Sequence, residues 1–257
     1  MSEFKLKYPI VERYLTGPSM RRPCISLNTC RLMVAHDTGN PGSTAAGNVS
    51  YYERSRNEAE ASAHIFVDDK EIIECIPFLS ALPEKAWHVR YNPVIDNGIF
   101  GADANDAAGG VELCYGGAVD LVEAYKRYIW VLAYSCYRNG LNPATCITGH
   151  HILDPTRKID PMNALKLLDK SFSAFVQDVV SEYIDCLRAE EDVDNMPMKL
   201  EPWQWDMLYK VMGDAYNKER LGWDWMQKIV DQTMTATELA FLNTVLDGRL
   251  DRGIEVY

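Results

Sequence analysis

Two hydrophobic periods alternate along residues 31 to 187, and no other feature restricts the fold as strongly. Arg31 to Ala35 (RLMVA) is a short apolar run ending at His36, and the Gly-, Pro- and Ser-rich DTGNPGSTAAGN follows it. That reads as a buried strand feeding a loop. Ala63 to Val67 (AHIFV) and Glu71 to Ile76 (EIIECI) flank the polar Asp68-Asp69-Lys70 and stop at Pro77, as two strands about a turn do. Gly110 to Tyr115 (GVELCY) is a further strand candidate. Between Val119 and Asn139 the period changes: Leu121, Tyr125, Tyr128, Ile129, Leu132 and Cys136 recur at helical spacing, and Gly140 supplies the stop. Leu165 to Leu187 repeats that pattern as one helix, with Leu168, Phe172, Phe175, Val176, Val179 and Tyr183 on one face. Strands interleaved with long helices predict an α/β fold, a mixed central β-sheet covered by helices.

The pattern changes in kind after the charged stretch AEEDVDN (189 to 195) and the following MPMK, which have the charge density and proline of a linker. The chain therefore divides into a first domain over residues 1–192 and a second over 197–257. In the second, Pro202 sits near a helix start, Trp203, Trp205, Leu208 and Met212 form an apolar stripe, and Gly213 and Gly222 read as breakers. Thr235 and Glu238 have capping-box spacing, with Met234 and Leu239 at the hydrophobic-staple positions. This predicts a small all-helical C-terminal module. Four of the six tryptophans (203, 205, 223 and 225) lie in it, mostly as its core.

Charge and composition exclude some functions. Lys plus Arg total 26 against 37 Asp plus Glu, a net charge of −11 that repels phosphate backbones, so nucleic acid is not an expected partner. No run approaches the roughly 20 apolar residues of a membrane span, so membrane insertion is not expected. The N-terminal MSEFKLKYPIVERYLTG has scattered charges and lacks the apolar core of a secretory signal, which points to the cytoplasm of the producing cell. The seven cysteines show no CxxC pairing and read as reduced and structural, with a Cys24–Cys30 disulfide as the alternative outside the cell. Asp103, Asn105 and Asp106 lack the closing Glu of a calcium loop.

Three places supply the residue types of a hydrolytic zinc site, which needs three protein ligands, an open position, an acid/base and an oxyanion stabiliser. His36 ends a strand and opens a Gly-rich loop, so its imidazole projects free of any helix. His150 and Asp160 lie ten residues apart in TGHHILDPTRKID, a span holding Pro155 and too irregular to be one helix, which lets the loop fold back on itself.

At these residues the chain resembles the zinc amidases that include phage endolysins, bacterial autolysins and animal peptidoglycan recognition proteins. The resemblance covers roughly residues 28 to 185: VAHDTGN as the first-ligand strand, SAHIFVDDKEIIECIP as the central hairpin, KAWHV as the groove motif, GVELC as the catalytic strand and GHHILDPTRKIDP as the second metal loop. It implies one zinc ion per chain on His36, His150 and Asp160, with His150 preferred to His151 because the family's ligand directly follows the glycine, here Gly149. It implies Glu112 as the carboxylate that takes a proton from the attacking water, and Lys158 as the cation that stabilises the oxyanion. His64, Trp87 and His88 are the candidate substrate contacts, with packing as the competing reading. Two positions depart from the family: Ala63 stands where some members have Tyr, and Met162 follows Pro161 where the family has Gly.

The activity implied is cleavage of the amide between N-acetylmuramic acid and L-alanine in bacterial peptidoglycan, by an endolysin or autolysin that lyses cells. The helical module would bind the cell wall or join two copies as a homodimer. The alternatives are a non-catalytic recognition protein on the same fold and an amidase of soluble muropeptides.

Overall fold

The computed structural model describes residues 4–91, 94–187 and 197–252. The chain forms two compact units, Met1–Arg188 and Ala189–Tyr257. The linker expected at 189 to 195 lies outside the described residues.

In the first unit the element order is β1 (Ile10–Glu12), β2 (Leu32–Asp37), α1 (Ala45–Arg54), β3 (Ile65–Val67), β4 (Ile72–Glu74), α2 (Val94–Phe100), α3 (Ala104–Ala107), β5 (Ala108–Leu113), α4 (Leu121–Asn139), α5 (Pro143–Cys146), β6 (Ile147–Gly149), α6 (His150–Leu153), α7 (Met162–Leu167) and α8 (Phe172–Leu187). Six strands form one sheet in the order β1-β4-β3-β5-β2-β6. Only the β3–β4 hairpin is antiparallel, so the sheet is mixed and the fold is the α/β architecture expected.

β2 lies between β5 and β6 and every one of its residues is buried, which is why it reads as a continuous apolar run rather than an alternation. Met33, Ala35, Val111, Leu113 and Ile147 share a core with Tyr128 and Leu132 of α4 and Phe175 and Val179 of α8. On the opposite face Leu32 and Val34 pack with Val89, Ala104 and Leu153, and Phe66 packs with Val49 of α1. α4 is fixed at both ends. Asp120 accepts bonds from the Val122 and Glu123 N–H groups at 3.0 and 3.2 Å, and Gly140 closes the helix at φ +64°.

The single helix expected over 165 to 187 is two. Asp169 adopts a left-handed φ of 53°, and Ser171 restarts the chain by accepting from the Ala174 N–H through its hydroxyl at 3.1 Å. Apolar spacing carries no record of that one-residue reversal. The expected strand at 110 to 115 begins two residues earlier, at Ala108, and β2 continues through His36 to Asp37.

The second unit holds α9 (Pro202–Asn217), α10 (Trp223–Val230) and α11 (Ala236–Arg252) around Trp205, Met212, Met226, Ile229, Met234 and Leu242. Glu201 and Gln204 form a capping box ahead of α9. At α11 the Thr235 N–H donates to Glu238 and the Glu238 N–H to the Thr235 hydroxyl, both at 3.1 Å. Gly213 does not break α9, which runs on to Asn217. One glycine costs a helix about 1 kcal/mol, less than burial of Trp205 and Met212 on the same helix returns. Among the described residues no helix is long and apolar enough to cross a membrane.

Candidate metal centre

Register places the site. His36 on β2 is the pairing partner of Glu112 on β5, so both side chains leave the same face of the sheet. Gly149, at the end of β6, pairs with Ala35 and hands the chain directly to His150. A Cβ on Gly149 would sit 2.5 Å from the His151 ring, so the turn that sets the two histidines apart requires glycine.

The loop after α6 returns Asp160 to these histidines. Its Oδ2 lies 2.9 Å from His36 Nδ1 and 3.0 Å from His150 Nδ1. The three ligand atoms fall within 4.8 Å of one another, a group that could hold a metal ion. Two imidazole nitrogens and a carboxylate oxygen are also the donor set of zinc and its neighbours in the first transition row.

Buried neighbours hold the group in place. Asp37, next to His36, accepts from the Asn163 and Ala164 N–H groups at 3.0 and 3.2 Å and from the Asn163 side-chain amide at 2.9 Å, which docks the start of α7 against the end of β2. Asp160 lies three residues before Asn163, so these bonds locate it. The Tyr128 hydroxyl donates to the His36 carbonyl at 2.9 Å. Neither Asp37 nor Tyr128 was singled out from the sequence. Asp37 reads there as a loop residue and Tyr128 as one aromatic of a helical stripe, and only tertiary contact gives them these partners.

Burial sets the charge states. It lowers His36 to about 4, against which the neighbouring Asp160 carboxylate pulls upward. Burial alone would raise the Asp160 carboxyl, but the adjoining His150 and His36 imidazoles outweigh it and hold the acid below the usual carboxylate range. Glu112 goes the other way. Burial first, then the charges of Asp160 and Asp37, push its carboxyl well above the usual value, while Lys158 pulls it down. Glu112 Oε2 and His150 Nε2 are buried without a hydrogen-bond partner.

A cleft of about 610 Å³ opens beside the group, and His150, Lys158, Trp87, His88, Arg90 and Arg157 are among its walls. Trp87 is half-buried and meets Tyr91 edge-on at 6.2 Å. His88 is buried, with its Nδ1 3.1 Å from His36 Nε2 and its own Nε2 3.3 Å from the Ala108 carbonyl. His64 does not reach the cleft. It is fully buried, its Nε2 donates to the Glu84 carbonyl at 2.9 Å, and its Nδ1 accepts from the Gly110 N–H at 2.9 Å. That ring ties the segment carrying Trp87 and His88 to β5, and both its nitrogens are spent in doing so. His151 donates through Nδ1 to the Asp160 carbonyl, 3.2 Å away, and packs on Phe172. All seven cysteines are free; Cys24 is exposed and Cys30 half-buried.

Fold and site together define a class: α/β proteins that present a His–His–Asp group on one face of a mixed sheet, with a half-buried acid beside it. The sequence profile described as N-acetylmuramoyl-L-alanine amidase matches residues 26–163, and the chain belongs to that family. N-acetylmuramoyl-L-alanine amidase BlyA of Bacillus subtilis is 32% identical over 185 residues, which are 66% of this chain and 46% of that protein, so the chain spans about half the length of this relative. The catalytic domain of XlyA shares the fold at a TM-score of 0.53 and 24% identity, over 66% of this chain and 99% of that one. The hydrolase AmiA of Staphylococcus aureus, solved in complex with its ligand, does so at 0.55 and 23%, over 70% and 85%.

Proposed function

We propose that this chain is a zinc-dependent N-acetylmuramoyl-L-alanine amidase that acts on bacterial peptidoglycan as a wall-lytic endolysin or autolysin. The observation that carries this reading is the convergence of His36, His150 and Asp160 within 4.8 Å beside the buried, unpartnered carboxyl oxygen of Glu112. When bound there, one zinc ion supplies a Lewis acid that polarises oxygen and makes water acidic near neutral pH. The protein's own groups do the rest. Glu112 takes the proton of the attacking water at its carboxylate and returns it to the departing alanine nitrogen; surroundings that favour its neutral form help it take up the proton. Lys158, on the cleft wall, meets the negative charge that grows on the carbonyl oxygen. Trp87 offers a flat apolar wall for sugar or peptide.

Residues 197–257 serve as a module that binds wall or a second copy of the chain. Exposed Trp203, Trp223 and Phe241 support a surface role for part of its aromatic content.

Incubation with purified wall tests both parts. New alanine amino groups are expected without new reducing sugars, chelation abolishes their release, and a chain lacking 197–257 loses activity on wall while sparing a soluble muropeptide. Reducing ends as the product would make the chain a glycosidase and overturn the reading. Equal loss on both substrates would make the helical module part of the catalytic fold.

A further inference from the structure

We infer that His88 is a positioning residue that fixes the tautomer of His36 and thereby aims its Nδ1 lone pair into the metal centre. The inference rests on the zinc site proposed above.

A peptide carbonyl can only accept, so the contact between His88 Nε2 and the Ala108 oxygen at 3.3 Å places a proton on His88 Nε2. His88 is buried with no carboxylate among its hydrogen-bond partners, so its ring is neutral and Nδ1 carries a lone pair. The proton shared across the 3.1 Å gap between the rings then belongs to His36 Nε2. His36 Nδ1 is left with a lone pair, directed at Asp160 Oδ2 2.9 Å away. A lone pair facing a carboxylate oxygen at that distance is repulsive unless a cation lies between them. The relay therefore prepares His36 as a ligand, as outer partners of metal-bound imidazoles do.

The fold holds His88 for this task. Gly110, two residues before Glu112, has no side chain, and a Cβ there would come within 2.7 Å of the His88 ring. The buried Asn105 amide oxygen accepts from the His88 and Val89 N–H groups, both at 3.1 Å, and its nitrogen donates to the Val89 carbonyl at 3.0 Å. His64 closes the far side with its ring centroid 5.6 Å away. Both His88 nitrogens are engaged, so the ring has none left for a substrate, although it borders the cleft.

Two substitutions separate positioning from packing. His88→Asn sets an amide oxygen near the place of Nδ1, and His88→Phe fills the ring volume without an acceptor. Zinc affinity of the stripped full-length chain, measured against a chromophoric chelator, is expected to fall roughly 10- to 100-fold in His88→Phe and to stay close to wild type in His88→Asn. Wild-type affinity in His88→Phe, or His88→Asn as weak as His88→Phe, would overturn the inference. A readout without substitution is the imidazole proton spectrum of the zinc-loaded wild type, where a protected proton on His36 Nε2 is expected and one on His88 Nδ1 would contradict the relay. A wild type that takes up no zinc would overturn the metal centre and this inference with it, whereas zinc binding indifferent to His88→Phe would overturn the inference alone.

Discussion

At the scale of single residues, the site is a set of opposed charge preferences within one pocket of the sheet. Asp160 is held ionised by two imidazoles, while Glu112, on the strand next to His36, is pushed toward its neutral form by burial and by the charges of Asp160 and Asp37. In the proposed reaction, two carboxyl groups with such different proton affinities would divide the work, one binding the metal and the other carrying a proton. Glu112→Gln keeps the shape and removes the proton carrier. Turnover on wall is expected to fall by about 100-fold or more with zinc content unchanged, as read by paired rate and metal measurements, and retained turnover would take Glu112 out of the chemistry. That His36, His150 and Asp160 come together was legible from the sequence because few side chains suit a metal and these three stand at a strand end and in one irregular loop. His64 and His88 were legible only as histidines near the site. Their actual partners, the carbonyls of Glu84 and Ala108 and the ring of His36, are 20, 20 and 52 residues away in the chain, and no local spacing encodes them.

At the scale of elements, periodicity gave what periodicity can give. β2, β5 and α4 are long enough to leave a hydrophobic signature, and the three-residue β3 and β4 show themselves by flanking a polar turn, whereas β1 and β6, equally short, have no such turn between paired apolar runs and leave none. The break between α7 and α8 escaped for a different reason, since Asp169 turns the chain without disturbing the spacing of apolar residues. What joins elements across the site is polar, and Asp37 is the main joint: it accepts from Gly39, Asn163 and Ala164 and so links the end of β2 to the start of α7. Asp37→Ala leaves the buried Ala164 N–H and the half-buried Asn163 donors without this acceptor. The zinc-free protein is expected to lose about 2–3 kcal/mol of stability, read as a lower urea midpoint, because these bonds do not depend on the metal. An unchanged midpoint would show that the loop carrying Asp160 is held by other contacts.

At the scale of the whole molecule, a strongly acidic chain devotes one α/β unit to a histidine-rich centre and a second, helical unit to a separate core. Burying histidines has a consequence for folding. His36 and His64 are lowered by burial to about 4 and His88 is lowered well below its usual value, against about 6.5 in an unfolded chain. Between those limits the unfolded state binds more protons, so stability present above about pH 6.5 is lost as pH falls toward about 4. Glu112, Asp37 and Asp96, raised in the folded state, act in the opposite sense and offset part of that loss. The zinc-free protein is expected to be less stable at pH 5 than at pH 7 by a few kcal/mol, measured by denaturant unfolding; equal stability at the two would mean the rings are not buried neutral. The most direct test of the account is the metal content of the full chain and of Asp160→Ala after stripping, zinc loading and desalting. One zinc per wild-type chain and almost none in the variant is the expected result. A wild type that retains no zinc, or a variant that retains as much as wild type, would contradict the central claim.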